Sequence, residues 1–389
     1  MRKPSLEPPH EFSLHVQGDN EAQALFIHLP SEPAFFTISN AFSMRILITG
    51  SSGQIGTNLA LRLLEEGHEV LGVDKRANTW TDRFRYILQD LSIPYIAHAK
   101  GIGGVDYPKP DLVVHLAAHA KVHQLVKEPH RALENVIMTY NVLEYCRLSQ
   151  TPIVFSSSRE VYGDVHRFST QEISADFAYT ESTYSASKIA NEAMIYSYAR
   201  CYGLSYIVFR FSNVYGRYDN DIERMERVIP LFIKKIGRDE PITIFGPEKV
   251  LDFTYVDDCV DGIVLGIKAI TAGKVTNETF NLACGQGNTL VRMAELVSKA
   301  LGKTPEITLA ASQVAEVTHY VADISRATKL LGYTPKVSLD EGIVRCVEWN
   351  RKWNARSKPT NYIHSYIAGR GRGTGARQKA KKKSYLKQY

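Results

Sequence analysis

The 389-residue chain holds only five cysteines, at positions 146, 201, 259, 284 and 346, and no two of them form a CxxC pair. Cysteines that are few, odd in number and widely spaced exclude a disulfide framework or a zinc site, and point to buried thiols in a reducing, cytoplasmic compartment. No run of 18 apolar residues exists, so no membrane span is expected. At the N-terminus Arg2 and Lys3 lead into Pro4, Glu7, Pro8, Pro9 and Glu11. That stretch lacks the apolar core of a secretory signal. Internal repeats are absent, and so are acidic residues from Arg356 to the end of the chain.

That last absence changes the meaning of the net charge of +6. Residues 356–389 carry ten Lys and Arg, which leaves 37 basic against 41 acidic residues, a net −4, for residues 1–355. The body is mildly acidic and the tail strongly basic. Gly369-Arg-Gly-Arg-Gly373, Arg377 and Lys379 to Lys383 read as a flexible polycation. Three roles stay open for it: an inert solvated extension, nonspecific nucleic-acid contact, or contact with an acidic membrane surface or protein. With 44% hydrophobic and 23% charged residues, the rest has the composition of a folded globular protein.

Residues 1–43 contain five prolines and no sustained periodicity, so they form a loosely ordered extension, or else Met44 is the true start. Ala22–Ile27 and Ala34–Ile38 could form short strands there. From Met44 the pattern alternates strand and helix: Ile46–Ile48, a glycine turn, a helix through Leu64, then a strand from Glu69 to Val73. Apolar runs at Leu112–His115, Pro152–Ser156 and Tyr206–Phe209 read as further buried parallel strands. The expectation is an α/β fold, a Rossmann-type doubly wound parallel sheet over 44–211 with some later segments returning to it. A smaller, interleaved α/β lobe for substrate spans 212–350, and 351–389 form the basic tail.

Gly50-Ser-Ser-Gly53-Gln54-Ile55-Gly56 sits between the first strand and the first helix, where glycines mark a dinucleotide site. Gly50 permits the tight turn, Gly53 lets the backbone approach a pyrophosphate, and Gly56 lets the helix pack on the sheet. Asp74 ends the second strand 18 residues after Gly56, where an acid would bond the ribose hydroxyls and disfavour a 2′-phosphate. NAD is therefore preferred over NADP, although Lys75 and Arg76 follow and either could hold a phosphate. Asp90-Leu91 could contact adenine or lie on the surface, and the small residues of His115-Leu116-Ala117-Ala118 suit close approach of a cofactor. His119 and His123 have metal-ligand spacing but no third ligand nearby, so no metal is expected.

Tyr184-Ser-Ala-Ser-Lys188 puts a phenol and an ammonium four residues apart on one helical face. A lysine charge lowers a neighbouring phenol's pKa, which suits it to take a proton from a sugar or alcohol hydroxyl. Ser156, Ser157 and Ser158 end a buried strand 26 residues earlier, from which a hydroxyl can meet that phenol. Together these residues read as a hydride-transfer site.

These motifs, with Asn135-Val136, Thr139, Asn141, Val161-Tyr-Gly163, Arg210-Phe211-Ser-Asn213-Val-Tyr-Gly216 and Phe253-Thr-Tyr-Val-Asp-Asp258, occur in one order over about residues 44–350. In that order the chain resembles the NAD-dependent epimerase/dehydratase family of extended short-chain dehydrogenase/reductases, the UDP-galactose 4-epimerase-like enzymes. The resemblance implies a nucleotide-sugar 4-epimerase in which bound NAD takes and returns the C4 hydride, Tyr184 takes the O4 proton, Lys188 holds the nicotinamide ribose and Ser158 bonds O4. It also implies cofactor contacts from Leu116, Asn135, Ser156 and Phe211, and a homodimer through helices around 121–147 and 184–202. A non-enzymatic NAD-binding regulator tethered by its tail is the remote alternative; survival of both Tyr184 and Lys188 argues against it.

Three departures stand out. Arg159-Glu160 follows Ser158, and Glu160 resembles the acid of nucleotide-sugar 4,6-dehydratases and decarboxylases. It could act on the C5 proton of a 4-keto sugar, or serve as a substrate hydrogen-bond or salt-bridge residue. Leu251 and Gln313 stand where the family carries phosphate-binding arginines, which leaves Arg217, Arg224, Arg227 or Lys249 to compensate, or a substrate without a standard nucleoside diphosphate. Arg159, Asn213, Arg227 and Lys249 are the remaining substrate candidates. Met138 replaces the family's glycine before Thr139, for no reason visible in the sequence.

Overall fold

The computed structural model describes residues 27–28, 43–93, 97–164, 169–175, 177–219, 227–312 and 317–355. The expected extension at 1–26 and 29–42, the basic tail at 356–389, Arg224 and Gln313 lie outside the described residues.

Short runs rich in apolar residues, with most of their charges at the strand ends, make the strands of the main sheet: β1 Ile27–His28, β2 Arg45–Thr49, β3 Glu69–Asp74, β4 Arg85–Leu88, β5 Leu112–His115, β6 Ile153–Ser158, β7 Tyr206–Phe211 and β8 Glu278–Leu282. Every residue of β5, β6 and β7 is buried, as expected of a strand covered on both faces. Their order in space is β1-β4-β3-β2-β5-β6-β7-β8. Seven strands run parallel, and β1 lies antiparallel on β4. The later segment β8 thus returns to the first sheet, with Phe211 opposite Leu282.

Helices α1 Gln54–Glu65, α2 His130–Ser149 and α3 Thr183–Tyr202 link these strands. Helix α3 starts where Ser182 Oγ accepts the Ser185 amide and stops at Gly203, which takes the left-handed conformation at φ +70°. Its buried residues Tyr184, Lys188, Asn191, Glu192 and Ile195 recur at helical spacing and face the sheet.

Beyond the main sheet, Asn213–Tyr215, Val250–Tyr255, Gly287–Thr289 and His319–Tyr320 join in a second sheet, and Ile242–Phe245 pairs with Ile307–Ala310 in another. The motif Phe253–Asp258 is divided between two elements: strand Val250–Tyr255 ends where Val256 opens the helix Val256–Thr271. That helix is absent from the sequence reading. Its apolar residues Val256, Val260, Ile263, Val264 and Ile267 recur at helical spacing, so the signal was present in the sequence.

Strand order reverses at β2, whose neighbours β3 and β5 lie on opposite sides. Such a switch point opens a crevice at the carboxyl ends of the strands. Thr49-Gly50, Asp74, His115, Ser158 and Phe211 all sit at that edge.

Candidate active site

Gly50 has φ of +74°, and a side chain there would come within 2.7 Å of the Ala117 amide nitrogen. At Gly56 a side chain would collide with the Gly50 carbonyl, so glycine is what lets α1 lie against the turn. Gly53 is the N-cap of α1, which has no side-chain cap and no acidic residue in its first turn. The helix therefore opens with free amides, the donors an anionic diphosphate needs.

These residues form one end of a cavity of about 710 Å³. Of the expected cofactor residues, Gly50, Gly53, Gln54, Ile55, Gly56, Asp74, Lys75, Asp90, Leu91, Leu116, Ala117, Ala118, Ser156, Tyr184, Lys188 and Phe211 line it. Asn135 is not in its wall. It is buried behind the loop after Ala118, where Oδ1 accepts the His119 amide at 2.7 Å and Nδ2 donates to the His119 carbonyl at 3.1 Å, so it shapes the wall from outside. Asp74 accepts the amides of Ser52 and Arg76, each at 3.0 Å, which ties the second strand to the glycine turn. Burial pushes the Asp90 carboxyl up, but two hydrogen bonds from Ser92 hold it below the usual range. His119 Nε2 lies 2.6 Å from Glu134, and among the described residues no three His, Cys, Asp or Glu side chains are grouped to hold a metal.

At the other end, β6 and α3 bring Ser158 and Tyr184 into hydrogen-bond contact. Burial pushes the Tyr184 phenol up to about 12; the Ser158 bond, Arg227 and Arg159 pull it down, while Glu160 pushes it up. Lys188 Nζ donates to the Ser156 carbonyl at 2.7 Å and lies 5.8 Å from the centre of the Tyr184 ring. Burial pulls Lys188 down to about 8, and the Glu192 charge opposes that. His115, fully buried between the hydroxyls of Thr49 (2.6 Å) and Thr139 (3.2 Å), is pulled down to about 3 by burial and by Lys188, so it stays neutral.

Sequence reading missed the support under this pair. Glu192 stands one four-residue step beyond Lys188 and holds Arg210 through two contacts of 2.9 and 2.6 Å, while Ser157 donates to it at 2.5 Å. Extending the Tyr184–Lys188 spacing by one more step along the helix would have found it.

Arg159, Glu160, Asn213 and Arg227 line the cavity as expected of substrate residues. Arg159 Nη2 lies 3.0 Å from Glu160 Oε1, so the salt-bridge reading of Glu160 describes its observed contact. Arg227 donates to the side chain of Gln54 and to the Val214 carbonyl, and pairs with Asp219 at 3.0 Å. Lys249 is buried away from the cavity, its side chain close beside Gly246, and Leu251 is buried in the core. Arg217 faces outward to Asp257 at 2.6 Å. Arg227 is thus the one proposed substitute for the missing arginines that the described residues place in the cavity. Met138 also lines it, in the place of the absent glycine.

Residues 46–283 match the profile of the NAD dependent epimerase/dehydratase family. The chain is similar to the UDP-glucuronate 4-epimerase of Thermodesulfobacterium geofontis, 30% identical across 79% of this chain and 96% of that one. Its fold is similar to the crystal structure of the UDP-glucose 4-epimerase of Thermotoga maritima with UDP-glucose, at a TM-score of 0.70 and 31% identity over 80% of this chain and 100% of that one. It is also similar to the UDP-glucose 4-epimerase of Thermus thermophilus in complex with NAD, at a TM-score of 0.68 and 27% identity over 79% and 99%.

Proposed function

Because the chain belongs to the NAD dependent epimerase/dehydratase family, we propose that it is an NAD-dependent nucleotide-sugar 4-epimerase. The observation that carries this reading is one cavity with an uncapped glycine-turn helix at one end and the Ser158–Tyr184 pair above Lys188 at the other. The chain's residues fit NAD: free amides open α1, Asp74 ends β3, and Gln54 Nε2 is buried with no partner among the described residues. When bound, NAD supplies the hydride acceptor for the sugar C4.

Tyr184 takes the O4 proton, with Ser158 holding both the phenol and O4 in line. Lys188, anchored on the Ser156 carbonyl with Nζ 5.8 Å from the Tyr184 ring, adds its charge to those of Arg227 and Arg159 in favouring the ionised phenol. Return of the proton from Tyr184, as the 4-keto sugar takes the hydride back on its other face, completes the cycle without net redox change. Arg227, which lines the cavity and lies near enough to Tyr184 to pull its phenol down, is the proposed cation for the substrate diphosphate. Glu160 has one oxygen held by Arg159, which favours epimerisation over use of that carboxylate as a C5 base.

NMR of products from a panel of UDP-, dTDP-, GDP- and CDP-sugars tests the reading. Inverted C4 is expected, whereas a 4-keto-6-deoxy sugar or released CO2 assigns a dehydratase or decarboxylase. Tyr184→Phe should lower kcat by about 10²- to 10⁴-fold, the usual worth of a positioned acid–base group, while NAD stays bound. Full activity in that variant would exclude the mechanism.

The protein is further proposed to be a homodimer. Leu133 and Tyr140 on α2 and Tyr202 on α3 are 61%, 46% and 58% exposed, and the two helices pack side by side, offering a two-helix surface. Five free cysteines support a reducing, cytoplasmic location.

A further inference from the structure

Three aromatic rings from segments far apart in the chain meet at the glycine-turn end of the cavity. Trp80 and Tyr218 both line it, with their ring centres 5.8 Å apart. Trp349, from the helix Leu339–Ala355, is not in the wall but packs edge-on against both, at 6.2 Å from Trp80 and 5.5 Å from Tyr218. Tilted and edge-on rings with centres about 4.5–7 Å apart are the arrangement in which aromatic pairs attract.

Each ring in the wall is fastened to the turn that opens α1. Asn78 Oδ1 accepts the amides of Trp80 at 2.9 Å and Thr81 at 3.1 Å, while its Nδ2 donates to the Ser51 carbonyl at 3.3 Å and to Thr57 Oγ1 at 2.9 Å. On the other side Asn58 Nδ2, within α1, donates at 3.3 Å to the carbonyl of Arg217, the residue before Tyr218. Tyr218 itself has φ of +60°, in the left-handed region that a bulky side chain avoids. Strain of that kind persists where the surroundings hold it, and it points to a use for the ring. Because the two rings touch, the wall is continuous from the segment after β3 to the turn after Gly216.

We infer that Trp80 and Tyr218, braced by Trp349, are a clasp that retains the dinucleotide at its diphosphate end, an inference that rests on the NAD reading above. In the proposed reaction the hydride returns to the same sugar, so the cofactor has no need to leave between turnovers. The clasp acts on release: two wall segments tied to the α1 turn must part before a diphosphate held by the α1 amides can leave.

The test is an exchange experiment in which the protein is loaded with radiolabelled NAD and chased with excess unlabelled NAD. Tyr218→Gly removes the ring and suits the backbone. It should release the label about tenfold faster, as expected for two lost aromatic pairs, with the melting temperature of the NAD-free protein within about 3 °C of wild type. Trp349→Leu, which leaves the cavity wall in place, should speed release about threefold, and it carries the test if Tyr218→Gly does not fold. A merely structural cluster would lower that melting temperature and leave release unchanged. Release within about twofold of wild type in either folded variant overturns the inference. C4 inversion by a wild-type protein that loses its label on gel filtration overturns the clasp and leaves the epimerase; retained label without C4 inversion of any sugar in the panel overturns the epimerase and leaves the clasp.

Discussion

Lys188 shows how a single buried charge connects function to stability. Its folded-state pKa of about 8 lies below the usual value of 10.5 because burial disfavours the ammonium. Between those two values the unfolded chain binds more protons than the folded one, so this residue makes stability rise with pH from about 8 towards 10.5. Below pH 8 the protein carries a buried ammonium whose compensation is the Ser156 carbonyl and the Glu192 charge. Lys188→Met should therefore flatten the rise in urea midpoint across that window and hold or raise stability at pH 7, while turnover is lost. A stability at pH 7 lower by more than about 1 kcal/mol, the usual net worth of one hydrogen bond, would show that the Ser156 bond outweighs the cost of burial. The pair Tyr184–Lys188 was legible because four-residue spacing is printed in the sequence, whereas the Arg159–Glu160 contact was not. Adjacent residues on an ordinary strand face opposite ways, and only the tight helical turn at Arg159–Tyr162 brings these two side chains together.

At the scale of elements, strand Val250–Tyr255 is the joint of the second sheet, where it pairs with three other strands, and its centre is a carboxylate. Asp252 accepts the amides of Cys284 at 2.9 Å, Gly285 at 2.8 Å and Ala322 at 3.4 Å, so one side chain fastens the strand to two later loops. Burial pushes its carboxyl up to about 6 against those bonds. Asp252→Asn puts an NH2 group where one of these donors now points, and is expected to cost about 2 kcal/mol, the penalty of a buried donor without an acceptor, read from urea melts at pH 7. A change under about 0.5 kcal/mol, the low end of what one hydrogen bond is worth, would mean that the loops are held by packing alone. Strands such as Gly287–Thr289 and His319–Tyr320 went unread because each pairs over only two or three residues, too few to show a period.

For the whole molecule, the division of charge separates two testable parts. Residues 44–355 carry 35 basic and 36 acidic residues, so anion recognition there depends on the α1 amides and placed side chains. Removing residues 356–389 should leave kcat/KM within about twofold, since every group assigned to the chemistry lies before them. If the tail meets nucleic acid, that deletion should also abolish a retention on DNA that fades steeply with salt. The dimer belongs to this scale as well. Leu133→Glu with Tyr140→Glu should shift the sedimentation mass from two chains to one with the sheet intact, and an unchanged mass would place any interface elsewhere.

The sequence alone determined the parallel sheet, the glycine turn, the acid at the end of the second strand and the Tyr–Lys face, because each is a local pattern whose spacing is its own evidence. Only the tertiary structure decided which cation reaches the cavity (Arg227 and not Lys249) and that Arg159 engages Glu160. It also decided that Glu192 stands under Lys188 with Arg210 from another strand. Those outcomes depend on contacts between segments distant in the chain and on which side chains burial leaves unpaired, and neither is written in any local spacing.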